Sequence, residues 1–226
     1  MDIKLHSRRY GHGQPIIMLH GNGEDSTYFK HQIEALAAVR EVITIDSRAH
    51  GQSPRGNMPM SIQQLADDLY NFMMDEQIEQ ADILGFSDGG NIALAFTLKH
   101  QEMVNRLILN GANLNARGVK PKYQISVVIS FTVARILAIF IKSYKRRAEI
   151  LGLMVNEPNI LSTALRTIQN KTLVIVGTDD MICHGHSLLI AKSLPNAKFV
   201  QIEGDHFIAY RKPDDFNKAV LEFLSE

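Results

Sequence analysis

Gly85-Phe86-Ser87-Asp88-Gly89-Gly90 is the stretch on which the fold of this chain turns. The apolar run Ala81-Asp82-Ile83-Leu84 leads into it, and Asn91-Ile92-Ala93-Leu94-Ala95-Phe96 leads out with helical patterning. A G-x-S-x-G match is loose by itself. A strand before it and a helix after it make it a nucleophile elbow. The reason is steric: the turn holds the serine in a strained conformation while strand and helix pass at close range. Gly85 and Gly89 permit that approach because they carry no Cβ. The serine hydroxyl then stands at the tip of a strand, beside the positive end of a helix.

Outward from the elbow, the chain alternates strands and helices. Ile3 to Arg9 reads as an edge strand, and Pro15 to Leu19 is a continuous apolar run that ends in His20-Gly21-Asn22-Gly23. Thr27 to Val39 has helical spacing, with Phe29, Ile33, Leu36 and Ala37 on one face. Glu41 to Asp46 is the next strand, running into the polar loop Ser47 to Pro54. Ser61 and Gln64 form a capping-box pattern ahead of a helix that puts Ile62, Leu65, Leu69 and Phe72 on one face. After the elbow come strands at Met103–Leu109, Lys171–Val176 and Lys198–Ile202, a helix at Ser187–Leu194, and a closing helix behind Pro213. Solid apolar strands alternating with helices predict a three-layer α/β fold, a mostly parallel sheet with helices on both faces. In such sheets function gathers at the carboxyl ends of the strands. His20, Asn22, Asp46, Ser87, Asp179, Asp180 and His206 all stand just after strands.

Composition narrows the partners. The chain has 226 residues, 45% of them hydrophobic, enough for one core domain with an inserted subdomain. Lys plus Arg equal Asp plus Glu at 24 each, so there is no nucleic-acid footprint. The single cysteine, Cys183, excludes an internal disulfide framework. Residues Met1 to His6 lack the apolar core of a secretory signal, and a cytoplasmic protein is expected.

The alternation breaks at 113–168, too long for a structureless connection. This segment is expected to be a helical cap, with 1–112 and 169–226 forming the core. Within it, Ile125 to Ile141 is nearly all apolar and is followed by Lys142-Ser143-Tyr144-Lys145-Arg146-Arg147. The favoured reading is a cap helix packed on the core and lining an apolar pocket. Val127, Phe131, Ile136 and Phe140 are the candidate selectors, Phe131 and Phe140 foremost. Contact with a membrane surface through the basic flank is the lesser reading. A transmembrane span is disfavoured by Arg135 in mid-run.

A serine hydroxyl needs a base within hydrogen-bond reach, and the base needs an orienting group. His206, in a glycine-led loop after the last strand, is the candidate base. Asp179 and Asp180 both stand at the end of the preceding strand. Asp180 is preferred, because the chain must turn after Gly177 before a side chain can reach inward. Asp179, Asp180, Cys183, His184 and His186 also lie close in sequence, but their spacing matches no zinc pattern, and no metal is expected.

The order Ser, Asp, His resembles that of α/β-hydrolase-fold enzymes, of the lid-bearing serine esterase type. His20-Gly21-Asn22-Gly23 is similar to that family's oxyanion loop, and Asp46 to Ser53 to its D-x-R-G-x-G-x-S turn, with Ala49 in place of the glycine. Gly177-Thr178-Asp179-Asp180 resembles the acid site and Gly204-Asp205-His206-Phe207 the histidine loop, which favours Asp180 further. The resemblance implies a catalytic triad of Ser87, Asp180 and His206, with the backbone N–H groups of Asn22 and Asp88 as the oxyanion hole and His20 bracing the loop. It implies hydrolysis of a carboxylic ester or related small acyl compound without a cofactor. The same residues would also serve thioester or carbon–carbon bond hydrolysis, and a ligand-binding signalling protein with little turnover is the alternative from another class.

Overall fold

The computed structural model describes residues 2–226. Its strands are β1 (Ser7–Tyr10), β2 (Pro15–Leu19), β3 (Glu41–Ile45), β4 (Ala81–Phe86), β5 (Val104–Asn110), β6 (Lys171–Gly177) and β7 (Ala197–Ile202). They form one seven-stranded sheet in the order β1-β3-β2-β4-β5-β6-β7. The β1–β3 pair is antiparallel and every other pair is parallel. The central strand β4 is buried along its whole length, whereas the edge strands β1 and β7 are half exposed.

Alternation along each strand divides the core in two. Ile17 and Leu19 of β2 join Ile83, Leu107 and Leu109 on one face. Ile16 and Met18 join Leu84, Ile108 and Ile175 on the other. The first face is covered by α2 (Ile62–Asp75) through Ile62, Leu65, Leu69 and Phe72, and by α3 (Asp88–Lys99) through Ile92 and Phe96. The second face is covered by α1 (Lys30–Ala37) through Leu36 and by α8 (Pro213–Ser225) through Phe216, Val220 and Phe223. These are the faces that the helical spacing marks out. Both sides of the sheet are therefore dry, which is why its strands carry solid apolar runs.

Local differences have local causes. The first strand begins at Ser7, because Ile3 and Leu5 pack into the core before the chain enters the sheet. The Thr27 to Val39 helix opens as a 3-10 turn over Ser26–Phe29, where the Asp25 side chain accepts from the Thr27 N–H. Only half of the capping box at Ser61 forms. The Ser61 hydroxyl accepts from the Gln64 N–H at 3.0 Å, but the Gln64 amide turns to Asp68.

Between β5 and β6 stand α4 (Pro121–Phe140) and α5 (Ser143–Asn156), packed on each other. The segment thus carries its own helices, but α4 does not sit as expected. Ala134 is its only buried residue, and the apolar run faces outward. Two further helices complete the chain: α6 (His184–Ser193) and the short α7 (Ile208–Arg211).

Candidate active site

Ser87 has φ 54° and ψ −119°, a backbone conformation that a non-glycine residue holds only when its surroundings enforce it. The enforcement is visible. The Ser87 N–H donates to the Asn110 carbonyl of β5 at 2.8 Å, and the Ser87 carbonyl accepts from Gly90 at 2.8 Å and Asn91 at 3.1 Å. A Cβ on Gly85 would collide with the Gly89 carbonyl, and one on Gly89 with the Leu19 carbonyl. The two glycines thus let α3 start directly against β4 and β2.

The structure brings His206 and Asp180 together. Imidazole Nδ1 lies 2.7 Å from Asp180 Oδ1, with the side chains 5% and 3% exposed. A carboxylate only accepts, so Nδ1 carries the proton and Nε2 is left as the acceptor. Nε2 is buried and bonds to no group among the described residues. Asp180 is itself held by the Ile182 N–H at 2.8 Å and by the Gly177 N–H at 3.4 Å. Asp179 points away, with its side chain 73% exposed and paired to Lys120 at 2.8 Å. Of the other residues near Asp180 in sequence, His186 accepts from the Leu114 N–H and His184 faces Gln201, so the cluster disperses.

Gly111 links the histidine to the serine strand. It follows Asn110, the residue bonded to Ser87, and a Cβ there would lie 2.7 Å from His206 Cε1. Its φ of 64° also suits glycine. The Phe86 ring, one residue before the serine, lies 4.8 Å from the His206 ring. These contacts set His206 and Ser87 at the same rim of the sheet, at the ends of β4, β5 and β6.

The oxyanion-loop candidates meet the elbow from the β2 side. Asp88 is the first residue of α3, so its N–H has no carbonyl four residues back within the helix. Two buried histidines hold the loop. His20 Nδ1 donates to the Gly21 carbonyl at 2.8 Å while its Nε2 accepts from the Ser47 N–H at 3.0 Å. His50 does the same from the loop after β3, Nδ1 to the Arg48 carbonyl at 2.9 Å and Nε2 from the Gly23 N–H at 3.1 Å. Each needs a neutral ring, and burial lowers both, His20 to about 4. His20 is the brace that the sequence suggests; His50 was legible only as a loop residue.

The side chains at Asn22 and Asp88, for which only backbone roles were expected, make contacts of their own. Asn22 Nδ2 donates to Asp88 at 2.8 Å and to the Ile150 carbonyl of α5 at 2.7 Å. Asn91 Nδ2 donates to Asp88 at 3.2 Å and to Asn113 Oδ1 at 3.0 Å. Burial pushes the Asp88 carboxyl up to about 6, against the pull of the Asn22 and Asn91 amides. Burial likewise raises Glu24, which accepts from the Gly21 N–H, to about 7. No sequence motif announced either shift, because both depend on what covers the loop.

A cavity of about 740 Å³ opens between the loop after β2 and α5, lined by Asn22, Gly23, Arg146, Ile150, Leu151 and Met154 among others. Its apolar wall comes from α5. This corrects the expectation placed on α4. Phe140 is 81% exposed at the far end of α4, and Ile136 is 55% exposed, so neither lines a pocket. Phe131 lies on the opposite side of α4, in a separate groove with Arg55, Arg135 and Glu149. The reason is that α4 spends its inward face on α5, through Ala134 and the contact of Phe131 with Gly152.

Comparison with known proteins identifies the fold. A family model described as alpha/beta hydrolase fold matches residues 14–146. The curated protein "Putative carbamate hydrolase RutD" of Azorhizobium caulinodans is 26% identical, covering 100% of this chain and 96% of its own length. The enol-lactonase of Burkholderia xenovorans LB400 superposes with a TM-score of 0.84 at 21% identity, over 99% of this chain and 97% of its own. The meta-cleavage product hydrolase of Pseudomonas fluorescens IP01 superposes with a TM-score of 0.81 at 24% identity, over 99% and 94%.

Proposed function

Because this chain belongs to the alpha/beta hydrolase fold family, we propose that it is a serine hydrolase cleaving a carboxylic ester or related acyl compound through Ser87, His206 and Asp180. The observation that carries the reading is the buried 2.7 Å pair between His206 and Asp180, with a free Nε2 at the rim where the strained Ser87 stands. In this mechanism Nε2 takes the Ser87 proton as Oγ attacks the acyl carbon. Asp180 keeps the imidazole in the right tautomer and stabilises its cation. The N–H groups of Asn22 and Asp88 receive the negative charge on the carbonyl oxygen, each worth about 3 kcal/mol in the transition state. His206 then passes its proton to the leaving group, and water, activated by the same nitrogen, releases the acyl enzyme.

A relative over the whole chain that is named for carbamate hydrolysis supports acyl chemistry of this general kind. The walls of Ile150, Leu151 and Met154 suit an acyl group with apolar character. The test is labelling with a fluorophosphonate alongside turnover of short-chain p-nitrophenyl esters. The expected result is a covalent adduct on Ser87 and a loss of about a thousandfold or more in turnover for Ser87→Ala. Unchanged labelling and turnover in that variant would overturn the proposal.

A further inference from the structure

We propose that α4 seats this protein on an anionic lipid bilayer, lying in the plane of the interface with its apolar face in the acyl region and the basic residues at its ends among the headgroups. Ile125, Ile129, Val133, Ile136, Ile139 and Phe140 are between 48% and 81% exposed. Their spacing of three and four places them on one stripe along the helix. A soluble monomer seldom leaves so long a contiguous apolar patch in water. The stripe is intrinsic to the fold, since the opposite face of α4 is already occupied by α5.

Charge names the occupant. From residue 113 to residue 148 the sequence has eight Lys and Arg residues and no Asp or Glu, in a chain that as a whole has 24 of each sign. Lys122 stands at one end of the helix, and Lys142 and Lys145 at the other. All three are exposed, and none forms a salt bridge among the described residues. Apolar residues with lysines at the ends are what an interface offers its two layers to, acyl chains below and anionic headgroups above. A second copy of this chain fits less well, because pairing the two stripes would bring like-charged ends together.

By length and composition α4 could cross a membrane, with a mean hydropathy of 1.8 over its apolar window. The fold forbids it. Both ends of the 113–168 segment return to neighbouring strands, β5 and β6, and α5 lies alongside α4 with Arg146, Arg147 and Glu149. A crossing orientation would carry those charges into hydrocarbon. Docking in the plane keeps them out, and it depends on nothing in the catalytic proposal.

Co-sedimentation of the full chain with vesicles tests this. The comparison is between phosphatidylcholine alone and phosphatidylcholine containing about one third phosphatidylglycerol, the anionic surface of the proposal. Binding is expected to be at least about tenfold tighter to the anionic vesicles and to weaken with salt. The double variant Lys142→Gln/Lys145→Gln, which touches only exposed side chains, should lose about tenfold in binding with its melting curve and ester turnover unchanged. Ile129→Glu/Ile136→Glu should abolish sedimentation. No sedimentation of the wild type, or equal binding to both vesicle types, overturns the proposal. So does a dimer in analytical ultracentrifugation that Ile136→Glu splits while vesicles bind nothing, which would assign the stripe to a second copy.

Discussion

Asp88 shows how a residue beside the strained Ser87 acquires properties its type does not carry. It is buried, receives amide hydrogens from Asn22 and Asn91, and has its carboxyl raised to about 6. A raised carboxyl contributes its stability in full below the unfolded value near 3.8 and loses it as pH rises through about 6, because the folded state then holds the proton that the unfolded state has released. The difference amounts to about 3 kcal/mol. In Asp88→Asn this slope should vanish. Guanidinium denaturation at intervals from pH 4 to pH 7 separates the two effects: a constant offset from wild type reports altered bonding, and a variant that gains on wild type as pH rises reports the lost titration. Parallel curves would show that Asp88 does not titrate in this range.

At the scale of the element, the loop after β2 is held by rings rather than by strands. His20 and His50 each offer a neutral Nε2 to a backbone N–H, one on the Ser47 side and one at Gly23 itself. Their rings lie 5.1 Å apart, so protonating either would set a charge beside the other. His50→Phe keeps the volume but removes the acceptor for the Gly23 N–H. One lost hydrogen bond in a buried loop is worth about 1 to 3 kcal/mol. If the loop presents the Asn22 amide to the transition state, kcat/KM on an ester should fall by roughly tenfold or more, with fluorophosphonate labelling slowed but still on Ser87. Unaltered kcat/KM would show that the loop keeps its shape without this bond.

Across the whole molecule, the turn after β3 ties three distant parts of the chain through one guanidinium. Arg48 is fully buried; it bonds Asp68 of α2 at 2.7 and 2.6 Å and Asp2 at 2.7 Å. Its partners hold it strongly protonated, and it in turn holds the Asp2 carboxyl well below the usual range. Removing the cation leaves the buried Asp68 uncompensated, a change that typically costs about 3 to 5 kcal/mol. Arg48→Met should lower the stability by that amount in equilibrium denaturation, while Arg48→Met/Asp68→Leu should recover much of it. A single variant as stable as wild type would show that the network contributes no net stabilisation.

Much of this architecture could be read along the chain, because strand burial and helix faces are written in local periodicity. The elbow needed only two glycines and the strand and helix on either side of Ser87. The pairing of His206 with Asp180 was legible as two positions after successive strands, since parallel topology returns every strand to the same rim. What local pattern could not decide was contact between segments far apart. The pairing of Asp179 with Lys120, from the 113–168 segment, is one such contact; Asp180, already preferred for the turn after Gly177, is the carboxylate that meets the imidazole. The apolar stretch from Ile125 onward reads the same whether it faces the core or the solvent. Only the packing of α4 against α5 determined that α5 lines the cavity and that Phe140 does not, since a helix apolar on every side has no periodicity to say which face is covered.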